Sequence, residues 1–252
     1  LGVMLPETLE SVITSRTNLV SVMMVNNEIG TIEPIHELAT IAHTHGSLFH
    51  TDAVQAVGHI PINVRELGID ILSSSAHKFN GPKGIGFQFI RKGTKIHSYV
   101  DGGAQEFGMR AGTESIASII GMSVALRKSC AYMEQTQKKL YAMEQKFLNV
   151  LSLYGVDYIR NGATHHVPGN VNVSIRNVSG EMLLHRLDLK GICISTGSAC
   201  DSIKTQISHV IQAINVPMNY AEGTIRVSFG RFNQESDAIE IAKAIVEILK
   251  DR

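Results

Sequence analysis

Residues 1–90 alternate short apolar runs with segments of helical periodicity, and this alternation constrains the fold more than any other feature of the chain. In residues 34–45, for example, Ile35, Leu38 and Ala39 share one helical face, and Gly46 supplies a stop. Parallel strands joined by crossover helices have this pattern. We therefore predict an α/β fold. The predicted strands are 19–25, 47–51, 69–74 and 87–90, and the predicted helices are 6–16, 34–45 and 63–68.

The composition changes after this region. Residues 115–154 contain almost no Pro or Gly and predict one continuous helix, within which we place a domain boundary. We expect residues 1–132 to form one domain and residues 133–252 a second, smaller α+β domain. In the second domain the predicted strands are 156–159, 171–175, a strand around Cys193, and 224–228, and the predicted helices are 179–189 and 233–249.

Charge and composition disfavour several classes of protein. Lys and Arg together number 23, as do Asp and Glu, so no basic excess exists to bind nucleic acid or an anionic membrane. The apolar runs are shorter than the ~20 residues that span a bilayer. The three cysteines include no CxxC pair, and the paired histidines lack the HExxH spacing, so we expect neither a disulfide framework nor a metal site. We expect a cytoplasmic protein without direct nucleic acid or membrane partners.

Four polar clusters fall where the predicted strands end. In open α/β sheets the loops beyond the carboxyl ends of strands form the ligand crevice, so these clusters are the candidate functional segments. They are residues 26–28, 51–55, 73–78 and 196–200.

Two of these clusters each contain a residue that could bind or react with a ligand. Asp52 follows a strand predicted to be buried on both faces, where a carboxylate requires a cationic partner; the alternative is that it caps the following turn. Lys78 lies between a serine-rich segment and a glycine turn. Such a turn can hold a phosphate, and its lysine can form a Schiff base; the alternative is an ordinary surface lysine.

The cysteines differ in their surroundings. Cys200 lies in a loop of small residues, 196–202, and is the candidate nucleophile. Cys130 and Cys193 lie in helical and strand contexts, so we expect both to be buried and inert. Because it combines small and polar residues, we expect the segment 196–206 to be mobile.

Taken together, these segments resemble the group I cysteine desulfurases. These are pyridoxal-phosphate enzymes of the aminotransferase-like fold (fold type I). The matching motifs occur in the family's order: VNNEIG (25–30), TDAVQ (51–55), AHKFNGPKG (76–84), GMRAGT (108–113), GSAC (197–200) and IRVSFGR (225–231). The resemblance implies an incomplete large domain followed by a small α+β domain.

The resemblance also implies roles for individual residues around pyridoxal 5'-phosphate. Lys78 would hold the cofactor covalently, and Asp52 would pair with its ring nitrogen. Asn27 and Gln55 would bond its phenolic oxygen. Asn27 is also a candidate substrate-binding residue.

The remaining roles concern the phosphate and the substrate. Ser75 and His77 would bind the phosphate, and His77 counts with Lys78 and Cys200 among the candidate catalytic residues. Thr113 would reach the phosphate held by a neighbouring subunit, which implies a homodimer. Arg226 would grip the carboxylate of L-cysteine, and Cys200 would take its sulfur as a persulfide.

Chains of this family begin well before the position that matches Leu1, with a phosphate-capping turn and a histidine that stacks on the cofactor. We therefore expect a chain truncated at its N-terminus that binds pyridoxal phosphate weakly or not at all. The predicted activity converts L-cysteine to L-alanine and passes sulfur to an iron–sulfur scaffold or another acceptor, including for tRNA thiolation. The alternatives are a selenocysteine lyase, another class V enzyme, or a non-catalytic fragment that serves only as a binding surface.

Overall fold

The computed structural model describes residues 2–197 and 207–251, and these form two compact units. The parallel-sheet unit comprises Met4–Met24 and Pro34–Met133. The antiparallel-sheet unit comprises Leu1–Val3, Val25–Glu33 and Glu134–Arg252. The assignment of residues 1–132 and 133–252 as domains stays a prediction.

The elements of the parallel-sheet unit are α1 (Pro6–Val12), β1 (Leu19–Met23), α2 (Ile35–Thr44), β2 (Leu48–Asp52), β3 (Ile71–Ser75), β4 (Gly86–Ile90) and α3 (Ile116–Ala131). The four strands form one sheet in the order β1-β2-β3-β4. The first three strands are parallel and β4 is antiparallel to β3. The helix α2 packs its apolar face against β1 and β2, as the alternation in the sequence predicts.

Burial alternates along β2. Phe49 and Thr51 are fully buried, whereas His50 and Asp52 are only half-buried. The prediction that both faces of this strand are buried is therefore wrong for this unit. Because successive side chains of a strand point to opposite faces, one face of β2 is buried and the other carries polar groups.

The connection between β2 and β3 also differs from prediction. Residues 63–68 form turns rather than a helix. The side chain of Asn63 accepts a hydrogen bond from the Arg65 N–H at 3.1 Å, and Gly68 ends the segment with φ +69°. The backbone bonds of this segment mix two spacings, from the Leu67 N–H to the Asn63 carbonyl at 3.0 Å and from the Gly68 N–H to the Arg65 carbonyl at 3.2 Å, so they form no regular helical series.

The predicted helix over 115–154 is two helices, α3 and α4 (Met133–Leu153), separated at Tyr132 (φ −106°, ψ 10°). The helix α3 belongs to the parallel-sheet unit, and α4 belongs to the antiparallel-sheet unit. The pattern of good helix formers did not reveal the break, because the two helices are parts of different compact units.

The antiparallel-sheet unit contains, after α4, the elements β5 (Tyr158–Arg160), β6 (Asn170–Ile175), α5 (Gly180–Asp188), α6 (His209–Ala213), α7 (Met218–Ala221), β7 (Thr224–Ser228) and α8 (Glu235–Lys250). Its strands form a sheet in the order β5-β6-β7, and a hydrophobic core lies around β6, β7, α4 and α8. The strand predicted around Cys193 is absent from the described residues. Only Ser195 pairs there, through an isolated bridge to Arg226. Within the described residues, no helix is both long and apolar enough to cross a membrane.

Candidate functional site

Asp52 is the last residue of β2 and lies between two strands. It pairs in register with Met23 of β1 and with Ser73 of β3. Its Oδ1 accepts a hydrogen bond from the Val54 N–H at 2.8 Å. Asp52 therefore caps the turn that follows β2, which was the alternative prediction for this residue. This bond orients the carboxylate at the carboxyl end of the strand, and the half-buried Gln55 follows in the same turn.

Lys78 lies in a 3₁₀ turn, Ala76–Phe79, that follows β3 directly. The side chains of Ala76 and Phe79 are fully buried and anchor the turn, whereas His77 and Lys78 are exposed. The Lys78 carbonyl accepts a hydrogen bond from His59 Nε2 at 2.9 Å. The turn therefore fixes the Lys78 backbone and presents its amine to the solvent.

The residues on either side of this turn complete a small polar group. Ser75 Oγ lies 2.9 Å from His77 Nδ1. After the turn, Asn80 adopts the left-handed conformation (φ +66°). A Cβ at Gly81 would lie 3.0 Å from the Ala76 carbonyl oxygen, so a glycine allows the chain to pass this close to the turn.

A second polar group lies on the same sheet, and its central residue, His50, was not among the site residues predicted from the sequence. His50 makes hydrogen bonds through both ring nitrogens, to Ser21 Oγ at 2.7 Å and to Ser73 Oγ at 2.9 Å. Burial lowers the pKa of His50 below its ordinary value, and the charge of Asp52 offsets part of this effect. The signal in the sequence was the spacing of His50 and Asp52, which places both on one face of a strand.

Asn27 and Arg226 come together within the antiparallel-sheet unit. The Arg226 guanidinium donates from Nη1 to the Asn27 carbonyl oxygen at 3.0 Å. Two asparagines of β6 hold the same segment: Asn170 donates to the Asn27 carbonyl at 3.3 Å, and Asn172 to the Glu28 carbonyl at 3.2 Å. These asparagines were not among the residues predicted from the sequence, although polar residues at alternate positions of an otherwise apolar strand were a usable signal.

Two candidate residues remain, Thr113 and Cys200. Thr113 is exposed, between the 3₁₀ turn Glu106–Gly108 and α3. Cys200 lies outside the described residues, as does most of the segment 196–206, so the expectations about both stay predictions.

The expectation that the other two cysteines are buried is wrong, whereas their inertness stays a prediction. Cys130 and Cys193 are both exposed free thiols. No side chain of α3 is fully buried, which explains the exposure of Cys130. Near Cys193 it is the neighbours Ile192 and Ile194 that pack against the core.

In residues 2–197 and 207–251, no group of three or more His, Cys, Asp or Glu side chains is arranged to hold a metal ion. The candidate site residues fall into two groups, one in each compact unit. Asp52, Gln55, Ser75, His77 and Lys78 lie at strand ends of the parallel-sheet unit, and Asn27 with Arg226 lies in the antiparallel-sheet unit.

Comparison with known proteins identifies the family. The sequence profile described as Aminotransferase class-V matches residues 1–240. The chain belongs to this family. The fold prediction is confirmed, because the solved structures that share the fold include one titled NifS-like protein, with a TM-score of 0.90 and 35% identity. That similarity covers 100% of this chain and 66% of the other.

Relatives within the class-V family include cysteine desulfurases, as the sequence motifs predicted. The protein named cysteine desulfurase IscS of Dictyoglomus turgidum is 46% identical over 249 residues, which cover 97% of this chain and 63% of that protein. The cysteine desulfurase NifS of Azotobacter vinelandii is 38% identical, over 95% of this chain and 60% of its own length. A solved structure titled SspA in complex with cysteine has a TM-score of 0.75 and 30% identity, over 90% of this chain and 63% of that one. The chain thus spans somewhat under two thirds of the length of these proteins.

Proposed function

We propose that this chain carries the machinery of a pyridoxal-phosphate-dependent cysteine desulfurase. The observation that carries the proposal is the placement of Asp52 and of the Ser75, His77 and Lys78 group at the carboxyl ends of adjacent parallel strands. The names of the relatives support the same activity.

The chemistry of these residues fits pyridoxal 5'-phosphate. The Asp52 carboxylate suits a protonated ring nitrogen, and the Ser75 hydroxyl and His77 ring suit a phosphate. The exposed Lys78 amine suits a covalent bond to an aldehyde carbon. We propose that Gln55, in the turn after Asp52, and Asn27 form hydrogen bonds with the phenolic oxygen. Asn27 would also bind the substrate.

Arg226 and Lys78 are proposed to act directly on the substrate. Arg226 would bind the carboxylate of L-cysteine, for which a planar guanidinium provides two parallel donors. Lys78 would move a proton to and from the substrate Cα. The bound cofactor supplies an electron-withdrawing ring that stabilises negative charge at that carbon.

Cys200 is the proposed sulfur acceptor. Its thiol would form a sulfur–sulfur bond to the substrate sulfur as the carbon–sulfur bond breaks, so that L-cysteine and the thiol become L-alanine and a Cys200 persulfide. No external oxidant or reductant is required, because all atoms and electrons are conserved. The persulfide would pass to an iron–sulfur scaffold or another acceptor protein.

We further propose a cytoplasmic homodimer. The exposed thiols of Cys130 and Cys193 suit a reducing compartment. A neighbouring subunit would supply Thr113 to the phosphate, and exposed aromatic side chains on the parallel-sheet unit, including Tyr99 and Phe107, would be covered between subunits.

The activity is tested by supplying L-cysteine and pyridoxal phosphate and measuring L-alanine by mass spectrometry. With pyridoxal phosphate in excess, to offset the weak binding expected from the sequence, we expect alanine from the wild type and its loss in Cys200→Ala, with added sulfur on the Cys200 peptide of the wild type. Cys193→Ala is the matched control and should retain activity. Alanine formation that survives Cys200→Ala would favour a lyase instead.

The position of the covalent bond is tested separately. Borohydride reduction makes the bond between an amine and an aldehyde permanent, so peptide mapping detects even a weakly held cofactor. We expect the pyridoxyl group on Lys78, labelling lost in Lys78→Ala and labelling retained in Lys83→Ala. Labelling that follows Lys83 would contradict the assignment.

A further inference from the structure

A hydrogen-bonded chain of three side chains crosses the face of the parallel sheet that carries Asp52. It runs from Ser21 of β1 through His50 of β2 to Ser73 of β3, with separations of 2.7 and 2.9 Å. Ser21 pairs with His50 in the register of β1 and β2, and Ser73 pairs with Asp52 in that of β2 and β3. His50 and Asp52 are two residues apart on one strand, about 6 to 7 Å along a shared face.

The surroundings of His50 suit the neutral ring. Both ring nitrogens contact hydroxyl groups, which can either donate or accept, so the neutral imidazole is satisfied in either tautomer. From its own strand the charged group that acts on His50 is Asp52, and the groups that face it from β1 and β3 are the hydroxyls of Ser21 and Ser73. Burial lowers the pKa of His50, so the ring becomes charged only in more acidic solution than an ordinary histidine.

We propose that His50 is a positioning residue that controls how much of the Asp52 charge is available to a cationic ring nitrogen. The neutral ring, held between two hydroxyls, leaves the Asp52 carboxylate to the ligand. The protonated ring is a second cation on the same face and competes for that carboxylate. This inference rests on the proposed function, because it concerns the cofactor that Asp52 would bind.

The charge coupling is tested first in the cofactor-free protein. The titration of His50 is followed by NMR of its ring protons in the wild type and in Asp52→Asn. Because the Asp52 charge favours the protonated ring, we expect the His50 midpoint to move to lower pH in Asp52→Asn. A midpoint that does not move would overturn the proposal without any activity measurement.

The consequence for the ligand is tested by titrating the protein with pyridoxal 5'-phosphate and following its absorbance at several pH values. The ligand itself titrates in the same range, so the comparison between variants carries the result. We expect wild-type affinity to fall, between about pH 8 and pH 5, about fivefold more than that of His50→Gln, which can hydrogen-bond but cannot become charged. His45→Gln, which changes a histidine paired with Glu10 at the end of α2, should behave as the wild type.

The outcomes separate the two proposals. Equal pH dependence in the wild type and His50→Gln, with binding intact, overturns the role of His50 and leaves the proposed function standing. Absence of trapped pyridoxyl on Lys78 in every variant contradicts the proposed function and with it the role of His50. Circular dichroism of each variant confirms that the fold is retained.

Discussion

Glu144, on α4, is a carboxylate with only 1% of its surface exposed. Its oxygens accept hydrogen bonds from His166 Nε2 at 3.0 Å and from Arg160 Nη2 at 3.1 Å. Burial by itself raises the pKa of Glu144, but the hydrogen bonds and charges of His166 and Arg160 outweigh burial and hold the pKa below its ordinary value. The carboxylate is therefore charged in the folded protein at neutral pH.

We predict that Glu144→Gln lowers the free energy of unfolding by about 3 kcal/mol at neutral pH, because it leaves the partly buried Arg160 guanidinium without its anion. Urea denaturation measures the change. The matched control is Glu134→Gln, an exposed residue paired with Lys138 on the same helix, and it should leave the urea midpoint almost unchanged. Equal effects of the two substitutions would contradict the assigned role of Glu144.

The same carboxylate predicts how stability depends on pH. A carboxyl group whose pKa is lowered by folding stabilises the fold at pH values above its ordinary 4.5. That contribution is lost as the pH falls through the lowered pKa. We therefore expect wild-type stability to decrease more steeply than that of Glu144→Gln as urea midpoints are followed from about pH 6 downwards. Parallel profiles would show that Glu144 does not contribute to this dependence.

At the scale of elements, strand β6 holds the loop that contains Asn27. Asn172 is fully buried and links β6 to two segments outside the strands, since its amide donates to the Glu28 carbonyl while its Oδ1 accepts from Asn161 Nδ2 at 2.7 Å. Asn161 also donates to Ser174 at 2.7 Å. The alternate polar residues of β6 thus replace part of an apolar face with a hydrogen-bonded network that reaches a distant loop.

We predict that Asn172→Ala destabilises the protein by about 2 kcal/mol, because buried partners lose their hydrogen bonds. It should also reduce borohydride trapping of pyridoxal phosphate on Lys78, since Asn27 is the proposed ligand of the phenolic oxygen. Thermal denaturation and peptide mapping measure the two effects. Asn219→Ala, an exposed asparagine of α7, is the control and should change neither.

At the scale of the whole molecule, the parallel-sheet unit leaves large apolar side chains in solvent. Tyr99 is 97% exposed, and Phe107 is fully exposed with a left-handed backbone (φ +59°). Both precede Thr113 in the segment between β4 and α3. Such exposure is typical of surfaces that another protein covers, and the proposed second subunit would cover this one.

We predict a dimer in solution that Phe107→Asp weakens, because a charge would be buried between subunits. Light scattering coupled to gel filtration at several concentrations measures the mass. Phe232→Asp, an equivalent change at an exposed phenylalanine of the antiparallel-sheet unit, should leave the mass unchanged. A monomeric wild type at all concentrations would contradict the dimer.

The sequence by itself determined the alternation of strands and helices in the first half of the chain and the polar clusters at the strand ends. Both are local patterns, because the apolar period and the turn residues lie within a few positions of one another. The position of Lys78 just after a strand and before a glycine turn followed from the same local information. The motifs that carry the family resemblance are also continuous segments, so they required no knowledge of the fold.

Only the tertiary structure decided which residues meet across long stretches of sequence. Arg226 reaches the carbonyl of Asn27 across 199 positions, and His50 joins Ser21 and Ser73 through strand register that no local pattern specifies. Local sequence patterns likewise did not predict the exposure of Cys130 or the break between α3 and α4. Burial depends on which surfaces pack together, and a helix pattern does not reveal that its two halves belong to different compact units.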